Sequence, residues 1–115
     1  MRTRVTAHDG NDELMRTFFK MAKIAGQEIA LTGYLSLVMA RVVDDQECTE
    51  LQVVVPRWVD FSELGIVMNG RKNYELMTDD GIYVEIKIEA KYKYSYFDYP
   101  LGGNNYHKIR IAKFV

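Results

Sequence analysis

Between Ile82 and Phe97 the chain alternates without a break. Val84, Ile86, Ile88, Ala90, Tyr92, Tyr94 and Tyr96 share one parity, and Tyr83, Glu85, Lys87, Glu89, Lys91, Lys93 and Ser95 share the other. A period of two marks an extended strand with one buried and one solvated face. A straight strand of this span would run about 53 Å at about 3.3 Å per residue, whereas a domain of this length has a radius of gyration of about 13 Å. The strand must therefore overshoot the core or bend sharply around it. Along the core-facing parity, valine and isoleucine give way to tyrosine at Tyr92. Tyrosine suits a place where the ring is dry and the hydroxyl wet, so Tyr92, Tyr94 and Tyr96 are expected at the rim of the core or beyond it.

The other elements follow from local signals. Residues 12–25 carry Leu14, Phe18, Met21 and Ala25 at helical spacing, widened by Met15, Phe19 and Ala22. Asn11 is placed to cap this helix, Lys20 and Lys23 suit its negative end, and Gly26 can stop it in the left-handed conformation. Residues 28–43 fit either a helix or a bent strand. The strand is preferred, because Thr32-Gly33 would interrupt a helix and β-branched residues close the segment. Glu50–Val55 is a strand stopped by Pro56. Residues 57–72 read as irregular, with a helical turn at Phe61–Leu64 and a turn at Asn69-Gly70. A hairpin follows, from Tyr74–Met77 through Thr78–Gly81 into Ile82, with Asp80-Gly81 expected to supply the positive φ angles of the turn. Asp98–Asn105 is expected as a long mobile turn before a last strand, Tyr106–Phe114.

These elements define an α+β fold in one domain, residues 1–115. An N-terminal helix packs on a mainly antiparallel sheet of about five strands that ends in a long C-terminal hairpin. Five strands with a long curved pair are similar to a small, partly open barrel of the OB type.

Apolar residues are 48% and charged residues 27% of the chain, which excludes the disordered and fibrous classes. No apolar run approaches the roughly 20 residues of a membrane helix. Met1–Val5 has basic residues with no apolar stretch behind them, so a signal peptide is not expected. The lone cysteine, Cys48, cannot form an internal disulfide, and the expected location is the cytoplasm. Its carboxylate neighbours would raise its pKa and leave it structural.

The net charge of −1 exerts no global pull on polyanions. Its distribution is uneven, however. Residues 91–115 hold Lys91, Lys93, Lys108, Arg110 and Lys113 against Asp98 alone, together with seven of the chain's fourteen aromatic residues. Aromatic faces for stacking bases, interleaved with cations for phosphates, are what single-stranded nucleic acid requires. On this reading Tyr92, Tyr94, Tyr96 and Tyr106 stack, with Trp58 as a further platform, while Lys91, Lys93, Lys108 and Arg110 meet phosphates. The blander alternative also accounts for these residues: tyrosines that continue a core-facing parity can simply pack, lysines can guard an edge strand, and Trp58 can anchor its loop.

No enzyme motif emerges. His8-Asp9 precedes a helix as a turn, and His107 has no carboxylate beyond Asp98. Two histidines and one cysteine do not make a zinc set. Asp79-Asp80 is turn chemistry, and Asn69–Lys72 lacks the spacing of a phosphate loop. The sequence therefore points to a non-enzymatic binding protein without metal or cofactor. Its ligand is expected to be single-stranded DNA or RNA, or alternatively a protein partner or second copy that the hairpin recruits by strand pairing.

Overall fold

The computed structural model describes residues 9–26, 28–65 and 73–113. Helix α1 spans Asp9–Ala25. Its buried stripe is Leu14, Met15, Phe18 and Met21, flanked by the partly buried Phe19, Ala22 and Ala25. Gly26 ends it at φ +80°, and its N–H donates to the Ala22 carbonyl at 2.8 Å. Asn11 does not cap this helix. It lies within the first turns, wholly buried, and its side chain clamps the loop before the second strand: Nδ2 donates to the Gln46 carbonyl at 2.6 Å, and Oδ1 accepts the Cys48 N–H at 2.7 Å.

The segment read as a bent strand is strand β1, Ala30–Thr32, followed at once by helix α2, Gly33–Met39. Gly33 is the junction rather than a breaker. Its φ is +70°, and a Cβ there would lie 1.6 Å from Gln52 Oε1, so only glycine lets the strand turn into the helix against its neighbour. Leu35, Val38 and Met39 then face the core. The helix closes in a Schellman motif, with Val42 N–H donating to the Leu37 carbonyl and Arg41 N–H to that of Val38, and Arg41 takes the left-handed φ of 58°.

Strand β2 is Glu50–Val55, β3 Asn73–Met77, β4 Tyr83–Ile88, β5 Tyr94–Gly102 and β6 Asn105–Ala112. A 3-10 turn, Ser62–Leu64, follows the buried Phe61; the expected Asn69-Gly70 turn and Phe114 lie outside the described residues. The six strands form one mixed sheet in the order β3-β4-β2-β1-β6-β5. Adjacent strands β1/β2, β3/β4 and β5/β6 are antiparallel, while β2/β4 and β1/β6 are parallel. The sheet does not close into a barrel, since β3 and β5 stand at its two ends. Both helices contribute to one core with Leu31, Leu51, Val53, Val55, Val84, Ile86, Ile109 and Ile111. On the other face Ala30, Val54 and Ala112 form a small buried apolar patch, with Tyr92 against it.

The unbroken alternation from Ile82 to Phe97 is thus two strands, far apart in the sheet. The longest dimension of the molecule is 39 Å, too short for one straight strand of that length. After the Glu89 N–H donates to the Val55 carbonyl the chain leaves β4, and it resumes pairing at the opposite edge. The parity reverses on the way. In β4 the even residues Val84 and Ile86 are buried; in β5 the odd residue Tyr99 is buried and the even tyrosines are exposed. The expected mobile turn at Asp98–Asn105 is mostly strand as well. Tyr99, 1% exposed, packs edge-on to Phe19 at 5.3 Å and donates from its hydroxyl to Asp12 Oδ1 at 3.5 Å. That anchor carries β5 on to Gly102, leaving a tight turn at Gly103 and Asn104 with Gly103 at φ +60°.

Candidate functional site

Register on the β5/β6 pair sets the site. Tyr94 lies opposite Ala112, Tyr96 opposite Arg110, Asp98 opposite Lys108 and Pro100 opposite Tyr106. The pleat puts all of these on the face away from the helices. Tyr94 and Tyr96 are 47% and 51% exposed. Their rings meet edge-to-face at 5.6 Å, and Tyr92 extends the row with its ring 6.1 Å from that of Tyr94. Tyr92 comes from the crossover rather than from a strand, and its hydroxyl donates to the Glu28 carbonyl.

Arg110 organises the row. Its guanidinium carbon is 4.4 Å from the centre of the Tyr94 ring and 5.8 Å from that of Tyr96, and Nη2 donates to the Tyr96 hydroxyl at 3.2 Å. Lys108 Nζ stands 5.4 Å from the Tyr96 ring. Cation–π contacts of this kind hold the pieces together without neutralising either charge. The Tyr92 and Tyr96 hydroxyls push the Arg110 pKa up, and hydrogen bonding from Arg110 pulls the Tyr96 phenol below its ordinary value. Arg110 Nε is buried and has no hydrogen-bond partner among the described residues. Beside the row lies a cleft of about 430 Å³ lined by Glu28 and Pro56 together with Lys91, Tyr92, Tyr94 and Arg110.

The outer face carries charges of both signs. At its β2/β3/β4 end stand Glu50, Glu75 and Glu85, and there the Tyr83 phenol is pushed up to about 12, chiefly by donating a hydrogen bond to Glu75. Lys87 is at that end too, and the β5/β6 end carries Lys108 and Arg110 with Asp98 opposite Lys108.

Of the residues singled out from sequence, the structure brings together Lys91, Tyr92, Tyr94, Tyr96, Lys108 and Arg110. Tyr106 is on the same face but nearer the hairpin tip, and is exposed. Lys93 is exposed just before β5, where its carbonyl accepts the Lys113 N–H at 2.8 Å. Trp58, 50% exposed in the loop after β2, is outside the cleft lining. Sequence reasoning missed Glu28 and Pro56, which no local pattern connects to the tyrosines. Cys48 is partly buried, and its thiol is pushed up first by burial and then by Asp45. Asp79 and Asp80 occupy the β3/β4 turn, where Gly81 N–H donates to the Thr78 carbonyl at 2.9 Å and Gly81, but not Asp80, takes a positive φ, of 81°. Among the described residues no cluster of His, Cys, Asp and Glu could hold a metal ion, and no helix is long and apolar enough to cross a membrane.

Comparisons with protein-family models, with curated proteins and with solved structures give no match for this chain.

Proposed function

We propose that this protein is a non-enzymatic binding module for single-stranded nucleic acid, with the β5/β6 outer face as its binding surface. The observation that carries this reading is the half-exposed pair Tyr94 and Tyr96 with Arg110 and Lys108 across their rings. Bases stack on aromatic faces for about 1–3 kcal/mol each, whatever their identity. As a base arrives, Arg110 exchanges its ring contact for a phosphate, so the strip is a preassembled set of stacking and phosphate groups. Lys91 at the cleft and Lys93 beside it extend the cationic track, and Tyr106 offers one more ring towards the tip.

The test is fluorescence anisotropy with labelled oligodeoxythymidine and oligouridine. Binding is expected to be micromolar or tighter at low salt. If four cations each neutralise a phosphate, log affinity falls with log salt at a slope of about −3. Replacing Tyr94 and Tyr96 together by serine should remove most of the affinity. No salt-sensitive binding to either oligonucleotide overturns the reading.

A second reading rests on the position of β5, a nine-residue strand at the edge of the sheet. Such an edge can accept a strand from another chain. Pro100 restricts this, because proline cannot donate to a ladder. Recovery of a protein partner that is insensitive to nuclease, and lost on substituting by proline Asp98, whose N–H points away from β6, would favour strand addition over nucleic acid.

A further inference from the structure

A second, largely apolar cavity of about 330 Å³ lies between the second half of α1 and β6, with Tyr96 of the tyrosine row at its margin. Its origin is a mismatch of strand lengths. Strand β1 has three residues and meets β6 at Leu31–Ile111, whereas β6 has eight. The first part of β6 runs on past the end of β1, leaving a gap that α1 roofs. Residues of both parities of β6 line it, His107 and Ile109 as well as Lys108 and Arg110. The space therefore follows the uncovered margin of the strand rather than sitting under one face.

Chemistry divides the lining into a body and a rim. Phe18, Phe19, Ala22, Ile29 and Ile109 supply apolar and aromatic surface, with the His107 ring edge-on to Phe19 at 5.0 Å. Lys23, Lys108 and Arg110 supply cations, and none of the described residues that line the space is a carboxylate. Among the described residues none of these three cations is in an ion pair. A cavity of this volume is at the small end of ligand pockets, which span about 300–1,000 Å³ and combine apolar walls with a few convergent polar groups.

We infer that this cavity is a binding site for a small amphipathic anion, an aromatic carboxylate or its sulfonate analogue. The ring enters between Phe19, Ala22 and Ile109, and the anionic group stays at the rim with Lys23, Lys108 and Arg110. The chemistry excludes a cation by repulsion, and an uncharged aromatic forgoes the rim. The cavity shares Tyr96, Lys108 and Arg110 with the tyrosine row, whereas Phe18, Phe19, Ala22 and Lys23 of α1 belong to this site and not to that one.

The test uses anilinonaphthalene sulfonate as the probe and uncharged N-phenylnaphthylamine as its control, both by fluorescence titration of the full chain. The sulfonate should bind saturably, one per chain, at least tenfold tighter than the neutral compound, a gap of about 1.4 kcal/mol. Ala22→Trp fills the cavity and should weaken both probes about tenfold or more. Lys23→Glu should weaken only the sulfonate, by a similar factor. Lys23 is exposed, so this variant keeps the fold and decides the question even where Ala22→Trp does not fold. Equal affinity for the two probes, or sulfonate binding unchanged in either folded variant, overturns the site. Lys23 lines this cavity and not the cleft beside the tyrosine row, so oligonucleotide affinity measured alongside in Lys23→Glu distinguishes failure of this site from failure of that one.

Discussion

The guanidinium of Arg110 lies 4.4 Å from the centre of the Tyr94 ring while donating to the Tyr96 hydroxyl at 3.2 Å. One side chain thus fixes the spacing of two rings and presents a charge beside them. Arg110→Ala should lower oligonucleotide affinity about tenfold and reduce the salt slope by about 0.7. Arg110→Lys keeps the charge but not the planar stack, so its slope should match the parent while its affinity falls by a smaller factor. Anisotropy titrations at several salt concentrations read both quantities. Global stability should change by no more than about 1 kcal/mol, the size of an exposed cation–π contact.

Two tyrosines should titrate out of order. Tyr96 ionises below its ordinary range because Arg110 favours the phenolate, and Tyr83 ionises at about 12 because its protonated form donates to Glu75. In an ultraviolet titration Arg110→Gln should bring Tyr96 back up and Glu75→Gln should bring Tyr83 down. For Tyr83 the folded value is above the unfolded value of about 10. Its contribution to stability is therefore complete below pH of about 10 and fades as pH rises towards 12. For Tyr96 the sign reverses: the contribution is present above about 10 and disappears as pH falls through the lowered value.

Asn11→Ala should destabilise the fold by about 2 kcal/mol in chemical denaturation, because it deletes two hydrogen bonds and leaves the Cys48 N–H without its acceptor. Asn11→Asp should be no milder, since it removes the Nδ2 donor and sets a carboxylate against the Gln46 carbonyl.

The two ends of α2 should answer oppositely to glycine–alanine logic. Gly33→Ala forces a side chain into φ +70° and into Gln52, at a cost of about 1–2 kcal/mol or more. Arg41→Gly relieves a non-glycine residue at φ 58°, and should stabilise by about 0.5 kcal/mol once the greater freedom of glycine in the unfolded chain is counted. Thermal midpoints of the two variants check both signs.

Where a pattern was local, the sequence was a reliable guide. Helix α1 was legible from its 3.6-residue stripe and Gly26, β2 from its β-branched run before Pro56, and the β3/β4 hairpin from Asp80-Gly81. Each is specified by neighbours a few residues apart. The candidate site was legible only as a list of residue types. Tyr94, Tyr96, Lys108 and Arg110 could be named, but not the fact that Arg110 sits over Tyr94, because that depends on the β5/β6 register. Unbroken alternation predicts the tyrosines on the parity of Val84 and Ile86, and the crossover between β4 and β5 reverses it.

By itself, then, the sequence determined which segments extend, which segment coils, and that rings and cations crowd one end of the chain. Tertiary structure alone decided that the alternating stretch divides between an inner and an edge strand, that Gly33 opens a helix, and that a short β1 leaves a cavity beside β6. The physical reason is range. Periodicity and turn chemistry act between near neighbours, whereas strand order, register and the fit of Gln52 against Gly33 depend on residues that become neighbours only after the chain has folded within a body 39 Å long.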